Sequence, residues 1–326
     1  PPEGHAFIRM LKPPNRRAVF IMGPTASGKT QLALTLAKHL PIEVISVDSA
    51  LVYQGMDIGT AKPTRDEMAA CPHHLISIIS PEEAYSAARF CHDAETLIEA
   101  IQTRGRIPVL VGGTMLYFKA LRDGLSELPQ ADAEVREAIA LQARQEGWPA
   151  MHAVLATLDP AAAATLNPND SQRIQRALEI IRLSGRSLAE NYAPQKETVS
   201  RGDYLCCALL PAERSLLHAR IAARLDQMLR DGLQNELQSL QQRYRLTADM
   251  PSMRCVGYRQ MWEFLEGKTS LDETRLKAIA ATRQLAKRQI TWLRQFTKTW
   301  PGLVSLDPQS DDPLPSVRDA TQRWWH

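Results

Sequence analysis

The chain has 326 residues, of which 44% are hydrophobic, and a formal net charge of +3. This composition is typical of a globular protein with enough apolar residues for a packed core, in one large domain or two. No stretch reaches the roughly 18 consecutive apolar residues of a membrane span, and the five cysteines show no C-x-x-C spacing. We therefore predict a cytoplasmic protein without membrane association and without a zinc site.

The first segment, residues 1–16, contains four prolines and is predicted to be a disordered leader. Its only apolar stretch, residues 7–11, is interrupted by Arg9 and is too short for a signal peptide. We expect the fold to begin at residue 17.

Three apolar runs, at residues 18–22, 42–47 and 107–111, are predicted to be strands. Between the first two, residues 30–40 have helical apolar spacing until Pro41 ends the pattern. Strands that alternate with helices indicate an α/β fold with a parallel sheet. Ligands of such sheets bind beyond the carboxyl ends of the strands, so we expect the residues that follow the three runs to face one crevice.

The middle of the chain, residues 127–202, has short helical patterns broken by prolines and no strong strand pattern. Residues 204–210 are again an apolar run typical of a strand, and long helical patterns follow at residues 212–243 and 272–298. We therefore predict a core of residues 17–126 and 203–300, interrupted by an all-helical insertion. Residues 301–326, rich in proline and aspartate, are predicted to be a peripheral tail.

The octapeptide GPTASGKT matches the phosphate-binding P-loop pattern G-x-x-x-x-G-K-[ST] at every position, between a predicted strand and a predicted helix. Backbone N–H groups and the helix N-terminus form an anion cradle, the lysine neutralises phosphate charge, and the threonine hydroxyl can hold Mg²⁺. The pattern predicts a P-loop NTPase-like sheet flanked by helices, but it does not distinguish ATP from another pyrophosphate ester. The predicted phosphate-binding residues are Gly23, Pro24, Thr25, Ala26, Ser27, Gly28, Lys29 and Thr30, with Thr30 as the metal ligand.

An acidic residue follows only one of the apolar strands. An ATPase or kinase usually has a second carboxylate for Mg²⁺ at the end of another strand, but the run at 107–111 ends in Gly112, Gly113 and Thr114. Asp48 follows the run at 42–47. Spacing alone leaves three roles open for Asp48, namely a Mg²⁺ ligand, a ribose-binding acid or a base.

The sequence from Asp48 onward, DSALVYQGMDIGTAKP, resembles the signature that follows the P-loop in tRNA dimethylallyltransferases, also called tRNA isopentenyltransferases. Further blocks match in order: HHL, GGTMLYFKAL, NDSQRIQRALE, VGYRQ and TRQLAKRQITWLR. The resemblance spans roughly residues 17–300, whereas a P-loop kinase would share only the first block. One departure is Met115, where the family commonly has a third glycine.

The resemblance implies that the P-loop holds the pyrophosphate of dimethylallyl pyrophosphate. It also implies that the five-carbon group moves to the exocyclic amine of the adenosine just 3′ of the tRNA anticodon. By resemblance, Thr114 hydrogen-bonds near the bridging oxygen of the donor and Asp48 is the base, with a Mg²⁺-ligand role for Asp48 as the alternative. Mg²⁺ is the implied cofactor.

The resemblance also implies contacts with the anticodon stem-loop of tRNA, whose target base would be flipped into the site. Three residues after Asp48 would line the flipped nucleotide, and a helical block of the insertion would read the loop. Arg254 and Tyr258 are further candidates, with Tyr258 able either to stack on a base or merely to pack. The predicted contacts besides these two and Asp48 are Ser49, Ala50, Leu51, Gln172, Arg173, Ile174, Gln175 and Arg176.

The last long helical pattern is strongly basic, with seven basic residues and no acidic one between Arg275 and Lys298. At 100° per residue several of them share one helix face, although isoleucines lie on the same side. We interpret this face as a phosphate-tracking surface, and a solvated charged face is the alternative. The residues on this face are Arg283, Lys287, Arg294 and Lys298. The predicted tRNA contacts of the helix are Arg283, Lys287, Arg288 and Arg294.

Three other functions remain to be distinguished from the transferase. A P-loop kinase would transfer the γ-phosphate of ATP, and an enzyme that prenylates free adenine nucleotide would not need the insertion or the basic helix. A non-catalytic RNA-binding module would not need Lys29, Thr30, Asp48 and Thr114 together. We predict a monomeric transferase.

Overall fold

A computed structural model describes residues 15–125, 129, 132–192 and 200–326. Its strands are β1 (Arg17–Met22), β2 (Ile42–Val47), β3 (His73–His74), β4 (Ile107–Gly112), β5 (Asp203–Leu209) and β6 (Val304–Leu306). They form one sheet in the order β3-β2-β4-β1-β5-β6, and every pairing is parallel. The predicted α/β class and the four predicted strands are confirmed.

Helices precede and follow the strands along the chain. In the first half they are α1 (Lys29–Leu36), α2 (Arg65–Ala70), α3 (Ala87–Thr103) and α4 (Met115–Asp123). After residue 200 they are α10 (Arg214–Asp231), α11 (Leu233–Arg243), α12 (Tyr258–Leu265), α13 (Leu271–Thr299) and α14 (Leu314–Trp325). The numbers between belong to the segment Gly124–Val199: α5 (Ala133–Glu146), α6 (Trp148–Leu158), α7 (Pro160–Ala164), α8 (Ser171–Ser184) and α9 (Leu188–Asn191).

The central strands are buried on both faces, which is why their sequences are mainly apolar. In β2 the exceptions are Ser46 and Glu43, and the buried Glu43 carboxylate is paired with the Arg104 guanidinium at 2.7 Å. Alternate residues of β1 enter different cores, as period-two side-chain geometry requires. Phe20 and Met22 pack against α3, α4 and α13, whereas Val19 and Ile21 pack against α1 and α14. The sheet therefore lies between two helical layers, and its carboxyl edge carries the P-loop.

The helix predicted over residues 30–40 is shorter in the structure and ends at Leu36. The amides of Lys38 and His39 donate to carbonyls three residues earlier, at 3.1 and 3.0 Å. Such tight turns commonly close an α-helix, and here they precede Pro41.

The predicted leader falls mostly on residues 1–14, which lie outside the described residues. Arg16, the last residue of that segment, forms salt bridges to Glu95 at 3.2 Å and Glu99 at 3.0 Å. Arg16 is therefore attached to α3 rather than part of a leader.

The sequence predicted that residues 301–326 form a peripheral tail, but in the structure they are part of the sheet and its core. Strand β6 pairs with β5 in the central sheet, and Val317 and Thr321 of α14 are fully buried. Arg17 lies against the rings of Trp324 and Trp325, with its charged carbon 4.6 and 5.4 Å from their centroids. Five of the proline and aspartate residues, at 307–313, lie between β6 and α14, whereas Pro315 and Asp319 are part of α14. Apolar residues of both elements, among them Leu306 and Val317, join the core.

The segment Gly124–Val199, of which 124–125, 129 and 132–192 are described, is a compact unit of helices. Its core contains Ile139, Leu155 and Ile174. Buried Glu179 accepts hydrogen bonds from the Asp132 amide at 3.1 Å and the Arg136 guanidinium at 3.3 Å. The remainder of the chain, before residue 124 and from residue 200 onward, forms the other unit.

Candidate active site

The P-loop connects β1 to α1, and two of its glycines are required, Gly28 by its backbone conformation and Gly23 by a close contact. Gly28 has φ of 87° as the N-cap of α1, a conformation that a glycine adopts without strain. A Cβ at Gly23 would lie 2.5 Å from the Ser27 Oγ, so a side chain at this position would displace the loop. The loop thereby directs the first N–H groups of α1, which have no partner within the helix, toward the edge of the sheet.

Lys29 extends back along the loop, and its Nζ donates a hydrogen bond to the Pro24 carbonyl at 3.1 Å. Burial lowers the pKa of Lys29 to about 8, while Asp48 opposes this shift and Arg224 adds to it. An ammonium with this environment is poorly solvated, so a phosphate anion would be a favourable partner for it.

The ends of β2 and β4 meet at Gly112 and Thr114. A Cβ at Gly112 would lie 1.9 Å from the Val47 carbonyl oxygen, so only glycine permits this approach. The Thr114 amide donates to that same carbonyl at 3.2 Å, and the Thr114 hydroxyl accepts from the Ser49 amide at 3.0 Å. The structure thus brings Thr114 next to the turn that follows Asp48.

Met115, which departs from the family pattern, is the first residue of α4 and is only 2% exposed. It is not among the described non-glycine residues with positive φ. Its side chain packs in the core with Phe118 and Leu121. A glycine is therefore not required at this position by the backbone.

The Asp48 carboxylate caps the turn that follows β2. Its Oδ1 accepts hydrogen bonds from the Ala50 amide at 2.7 Å and the Leu51 amide at 3.2 Å. For Oδ2, no hydrogen-bond partner is found in the described part of the chain. These two bonds fix the orientation of the carboxylate and leave one oxygen for a ligand.

Two residues that the sequence did not single out complete the site. Arg224 of α10 approaches the Thr25 hydroxyl at 3.4 Å, and burial lowers the pKa of its guanidinium, which Asp48 partly offsets. Gln289 of α13 accepts from the Thr25 amide at 2.9 Å and donates to the Gly113 carbonyl at 3.0 Å. Arg224 lies one helical turn from buried Ile221. A cation on the buried face of a helix is unusual, and this position was the signal in the sequence that could have identified Arg224 as a site residue.

All these groups open into one cleft of about 560 Å³. Its polar lining includes Lys29, Thr30, Asp48, Thr114 and Arg224. Its other lining residues include apolar side chains, among them the partly exposed Leu116 and Trp292. The cleft is therefore lined by polar and cationic groups that could hold an anion and by apolar side chains, which we call its apolar wall. It lies wholly within the unit that contains the sheet.

A family model described as IPP transferase matches residues 51–296, and one described as isopentenyl transferase matches residues 16–80. Curated relatives named tRNA dimethylallyltransferase come from Aromatoleum aromaticum, at 61% identity, and Chromobacterium violaceum, at 60%. These two matches cover 94% and 93% of this chain, and 96% and 92% of the relatives. This chain belongs to the tRNA dimethylallyltransferase family.

Solved structures of other tRNA dimethylallyltransferase family members share the fold. A full-length tRNA isopentenylpyrophosphate transferase from Bacillus halodurans is 37% identical, with a TM-score of 0.68, and the match covers 95% of this chain and 97% of that one. A eukaryotic dimethylallyltransferase acting on tRNA is 27% identical, with a TM-score of 0.74, over 94% of this chain and 78% of that one. The P-loop NTPase-like architecture predicted from the sequence is therefore confirmed.

In this family member, Ser49, Ala50 and Leu51 line the cleft beside Asp48. Arg254 and Arg288 also line it and are exposed. The predicted RNA contacts on α13 that lie outside the cleft are all exposed: Arg283, Lys287 and Arg294.

Tyr258 is the clearest correction among the predicted RNA contacts. Its side chain is fully buried, and its hydroxyl hydrogen-bonds to Glu236 and accepts from the Gly59 amide at 3.1 Å. Burial raises the pKa of Tyr258, and the Glu236 charge adds to the shift. Of the two alternatives, stacking on a base is excluded by burial, and Tyr258 packs in the core around α11 and α12.

Within the helical unit, the predicted RNA contacts differ in exposure. Gln172 and Arg173 are exposed, whereas Ile174 is fully buried in the core of the unit and cannot contact RNA. Gln175 is half-buried. Arg176 is also half-buried, with one guanidinium nitrogen 3.0 Å from the Pro129 carbonyl and another 3.4 Å from Glu179.

The metal-binding capacity of the site is small. Within the described ranges, no three His, Cys, Asp or Glu side chains are grouped as a metal cluster. The exposed Thr30 hydroxyl at the start of α1 is available. Mg²⁺ commonly takes one or two protein ligands, keeps several waters and binds substrate phosphates. This donor set therefore fits Mg²⁺ that is held jointly by the protein and a pyrophosphate.

None of the helices in the described parts of the chain has both the length and the apolar character needed to cross a bilayer.

Proposed function

We propose that this protein transfers the dimethylallyl group of dimethylallyl pyrophosphate to the N6 amine of the adenosine immediately 3′ of the anticodon in tRNA. Pyrophosphate is released. The observation that carries the proposal is the convergence of the P-loop, Asp48 and Thr114 on one cleft with an apolar wall. An anion cradle suits the leaving pyrophosphate, a base suits the proton that the amine loses, and an apolar wall suits the dimethylallyl group.

The donor reacts at its allylic carbon, where the carbon–oxygen bond breaks and negative charge develops on pyrophosphate. The first residues of α1, Lys29 and Thr30, line the cleft together with Arg224, and we propose that their N–H groups and cations face this charge. Donors that are already oriented stabilise such a leaving group in the transition state, and the loss of one costs roughly 2.7 to 4 kcal/mol.

Thr114 is suited to act on the bridging oxygen of the donor. Its hydroxyl already accepts from the Ser49 amide, so the hydroxyl proton is free to be donated. We infer that this proton is directed at the oxygen that leaves with pyrophosphate. The Ser49 contact would orient the hydroxyl before the donor binds.

The acceptor amine forms the new carbon–nitrogen bond and loses a proton. Asp48 is proposed to accept that proton through Oδ2, because Oδ1 is occupied by two backbone amides. A positioned general base contributes about 10² to 10⁴ in rate.

Mg²⁺ is proposed as the cofactor, held by the Thr30 hydroxyl, with Asp48 as an alternative ligand. When bound, it would supply positive charge to the pyrophosphate oxygens.

Binding of the anticodon stem-loop is proposed to use the exposed cations of α13 and the exposed residues of α8. The target base leaves the stacked loop and enters the cleft beside Ser49, Ala50 and Leu51, since chemistry on a base requires that it be unstacked. We further propose that the protein acts as a monomer in the cytoplasm.

The test is transfer of label from isotopically marked dimethylallyl pyrophosphate to tRNA that lacks the modification, with Mg²⁺ and without ATP. AMP is offered in parallel as the acceptor. We expect label in tRNA and not in AMP. Asp48→Asn keeps an oxygen for the Ala50 and Leu51 amides but removes the base, and it should lose about 10²- to 10⁴-fold in rate. Asp66→Asn, at an exposed acid of α2, is the control.

Two outcomes would replace the proposal. Label in AMP would indicate an enzyme for free adenine nucleotides. No label in either acceptor, together with hydrolysis or transfer of the γ-phosphate when ATP is supplied in a separate assay, would indicate a kinase. An Asp48→Asn variant as active as Asp66→Asn would remove Asp48 from its role as base.

A further inference from the structure

Gln289 is the only side chain in the described residues that hydrogen-bonds to both the P-loop and the loop carrying Thr114. Its carbonyl oxygen accepts from the Thr25 amide at 2.9 Å, and its amide nitrogen donates to the Gly113 carbonyl at 3.0 Å. Both halves of one primary amide are therefore used, each in the direction that its chemistry allows. The side chain joins the two loops from a third element, helix α13.

The packing around this bridge indicates that it has a defined position. A Cβ at Gly113 would lie 2.4 Å from the Gln289 Nε2 and 3.1 Å from the Gly23 carbonyl oxygen. The absence of a side chain at Gly113 thus makes room for the Gln289 amide. Gly112 thus permits the close approach of Val47 in β2, and Gly113 permits the close approach of Gln289 in α13.

The two loops are also joined by a backbone hydrogen bond from the Gly23 amide to the Gly112 carbonyl at 3.3 Å. That bond lies at the end of the strands, whereas Gln289 acts further out, where Thr25 and Gly113 flank the cleft. A relative displacement of the two loops would change the separation between Thr25 and Thr114. The two Gln289 hydrogen bonds link Thr25 to Gly113, the residue beside Thr114.

We propose that Gln289 is a positioning residue for the transfer reaction, which holds the phosphate-binding loop and the Thr114 loop at a fixed separation. This inference rests on the proposed function. The cradle binds the leaving pyrophosphate, Thr114 donates to its bridging oxygen, and both must reach the donor in one geometry. A displacement of about 1 Å between such groups can cost on the order of 10²-fold in rate.

The first experiment compares steady-state and single-turnover transfer by the wild-type protein, Gln289→Leu and Gln284→Leu. Leucine removes both hydrogen bonds at similar volume, and Gln284 is an exposed residue of the same helix. We expect kcat of Gln289→Leu to fall by on the order of 10²-fold. We expect KM for tRNA and the unfolding midpoint to stay close to those of Gln284→Leu. A merely structural role would instead lower the midpoint and leave kcat per folded molecule unchanged.

The second experiment is a double-mutant cycle with Gly113→Ala. The added methyl group displaces the Gln289 amide, so Gly113→Ala and Gln289→Ala should each lower kcat, and the double variant should lose little more than either alone. If the losses in kcat of the two single variants multiply in the double variant, the two residues act independently and the proposed bridge is wrong. If Gln289→Leu does not fold, Gln289→Glu replaces it, because its carboxylate still accepts from the Thr25 amide but cannot donate to the Gly113 carbonyl.

The outcomes separate this inference from the function on which it rests. A wild-type protein that transfers no label contradicts the proposed function. An active wild-type protein with kcat unchanged in Gln289→Leu contradicts only the role of Gln289. Binding of inorganic pyrophosphate by calorimetry gives a readout that does not depend on tRNA, and Gln289→Leu should bind it more weakly than Gln284→Leu does.

Discussion

The Ser49 amide donates to the Thr114 hydroxyl at 3.0 Å, although the two residues are 65 positions apart in the chain. They meet because β2 and β4 are neighbouring parallel strands whose carboxyl ends are level with each other. This contact leaves the Thr114 proton as the free donor of that hydroxyl. It therefore connects the turn after Asp48 to the group proposed to act on the leaving oxygen.

Thr114→Val should lower the single-turnover rate of transfer by roughly 10²- to 10³-fold. Valine keeps the shape of threonine but removes the donor and leaves the Ser49 amide without its acceptor. Thr114→Ser retains the hydroxyl and should stay near the wild-type rate. Equal rates for the valine and serine variants would show that the hydroxyl does not contribute.

Binding of pyrophosphate should weaken as the pH rises through about 8, because burial lowers the pKa of Lys29 to about 8. Below this pH the Lys29 ammonium is charged and attracts the anion, and above it the amine is neutral. Lys29→Arg keeps the charge at all these pH values. Pyrophosphate itself ionises in this range. The readout is therefore the ratio of the pyrophosphate affinity of the wild-type protein to that of Lys29→Arg, from pH 6.5 to 9. We expect the wild-type protein to lose affinity relative to Lys29→Arg at the alkaline end. A constant ratio would contradict the role of the Lys29 charge.

Tyr258→Phe should reduce stability without weakening tRNA binding. The hydroxyl is buried and hydrogen-bonds to Glu236, whose carboxylate also accepts from the Ile58 amide at 2.8 Å. The loss of a hydrogen bond to a charged group costs about 1.5 to 3 kcal/mol. Tyr244→Phe is the control, because its hydroxyl makes no hydrogen bond within the described residues. Chemical denaturation and a tRNA-binding titration measure the two effects. Weaker tRNA binding at unchanged stability would restore Tyr258 as an RNA contact.

Arg294→Gln should reduce the salt dependence of tRNA binding. Each phosphate contact that is lost lowers the slope of log K against log salt by about 0.7 to 0.9. Lys38→Gln, at an exposed lysine just after α1, should leave the slope unchanged. The measurement is a titration of tRNA at several salt concentrations. If both variants change the slope equally, the effect is one of net charge and the basic face of α13 is a solvated surface.

Local patterns were sufficient for much of the fold. The central strands are buried on both faces, so they appear in the sequence as mainly apolar runs. By contrast, β6 has only three residues, and its short run between prolines and aspartates gave no such pattern. Its place in the sheet depends on pairing with β5, nearly a hundred residues earlier.

The same distinction applies to the candidate site. The P-loop, Asp48 and Thr114 each lie just after a predicted strand. Their place at the carboxyl edge of the sheet could therefore be predicted from the strands that precede them. Ile174 and Tyr258 could not be placed in this way. The inward position of Tyr258 requires a residue without a side chain at Gly59, where a Cβ would lie 2.5 Å from the tyrosine ring. Whether an aromatic residue of a helix packs or faces solvent depends on what lies opposite it.

The sequence by itself determined the α/β class, the phosphate-binding loop and the two polar residues at the strand ends, because each depends on residues that are adjacent in the chain. Only the tertiary structure revealed Arg224 and Gln289. Gln289 contacts Thr25 across 264 residues of sequence, and a helical glutamine has no local pattern that distinguishes it from its exposed neighbours. Its role arises from the packing of α13 at the edge of the sheet. There, its amide oxygen contacts the Thr25 N–H after β1, and its amide nitrogen contacts the Gly113 carbonyl after β4.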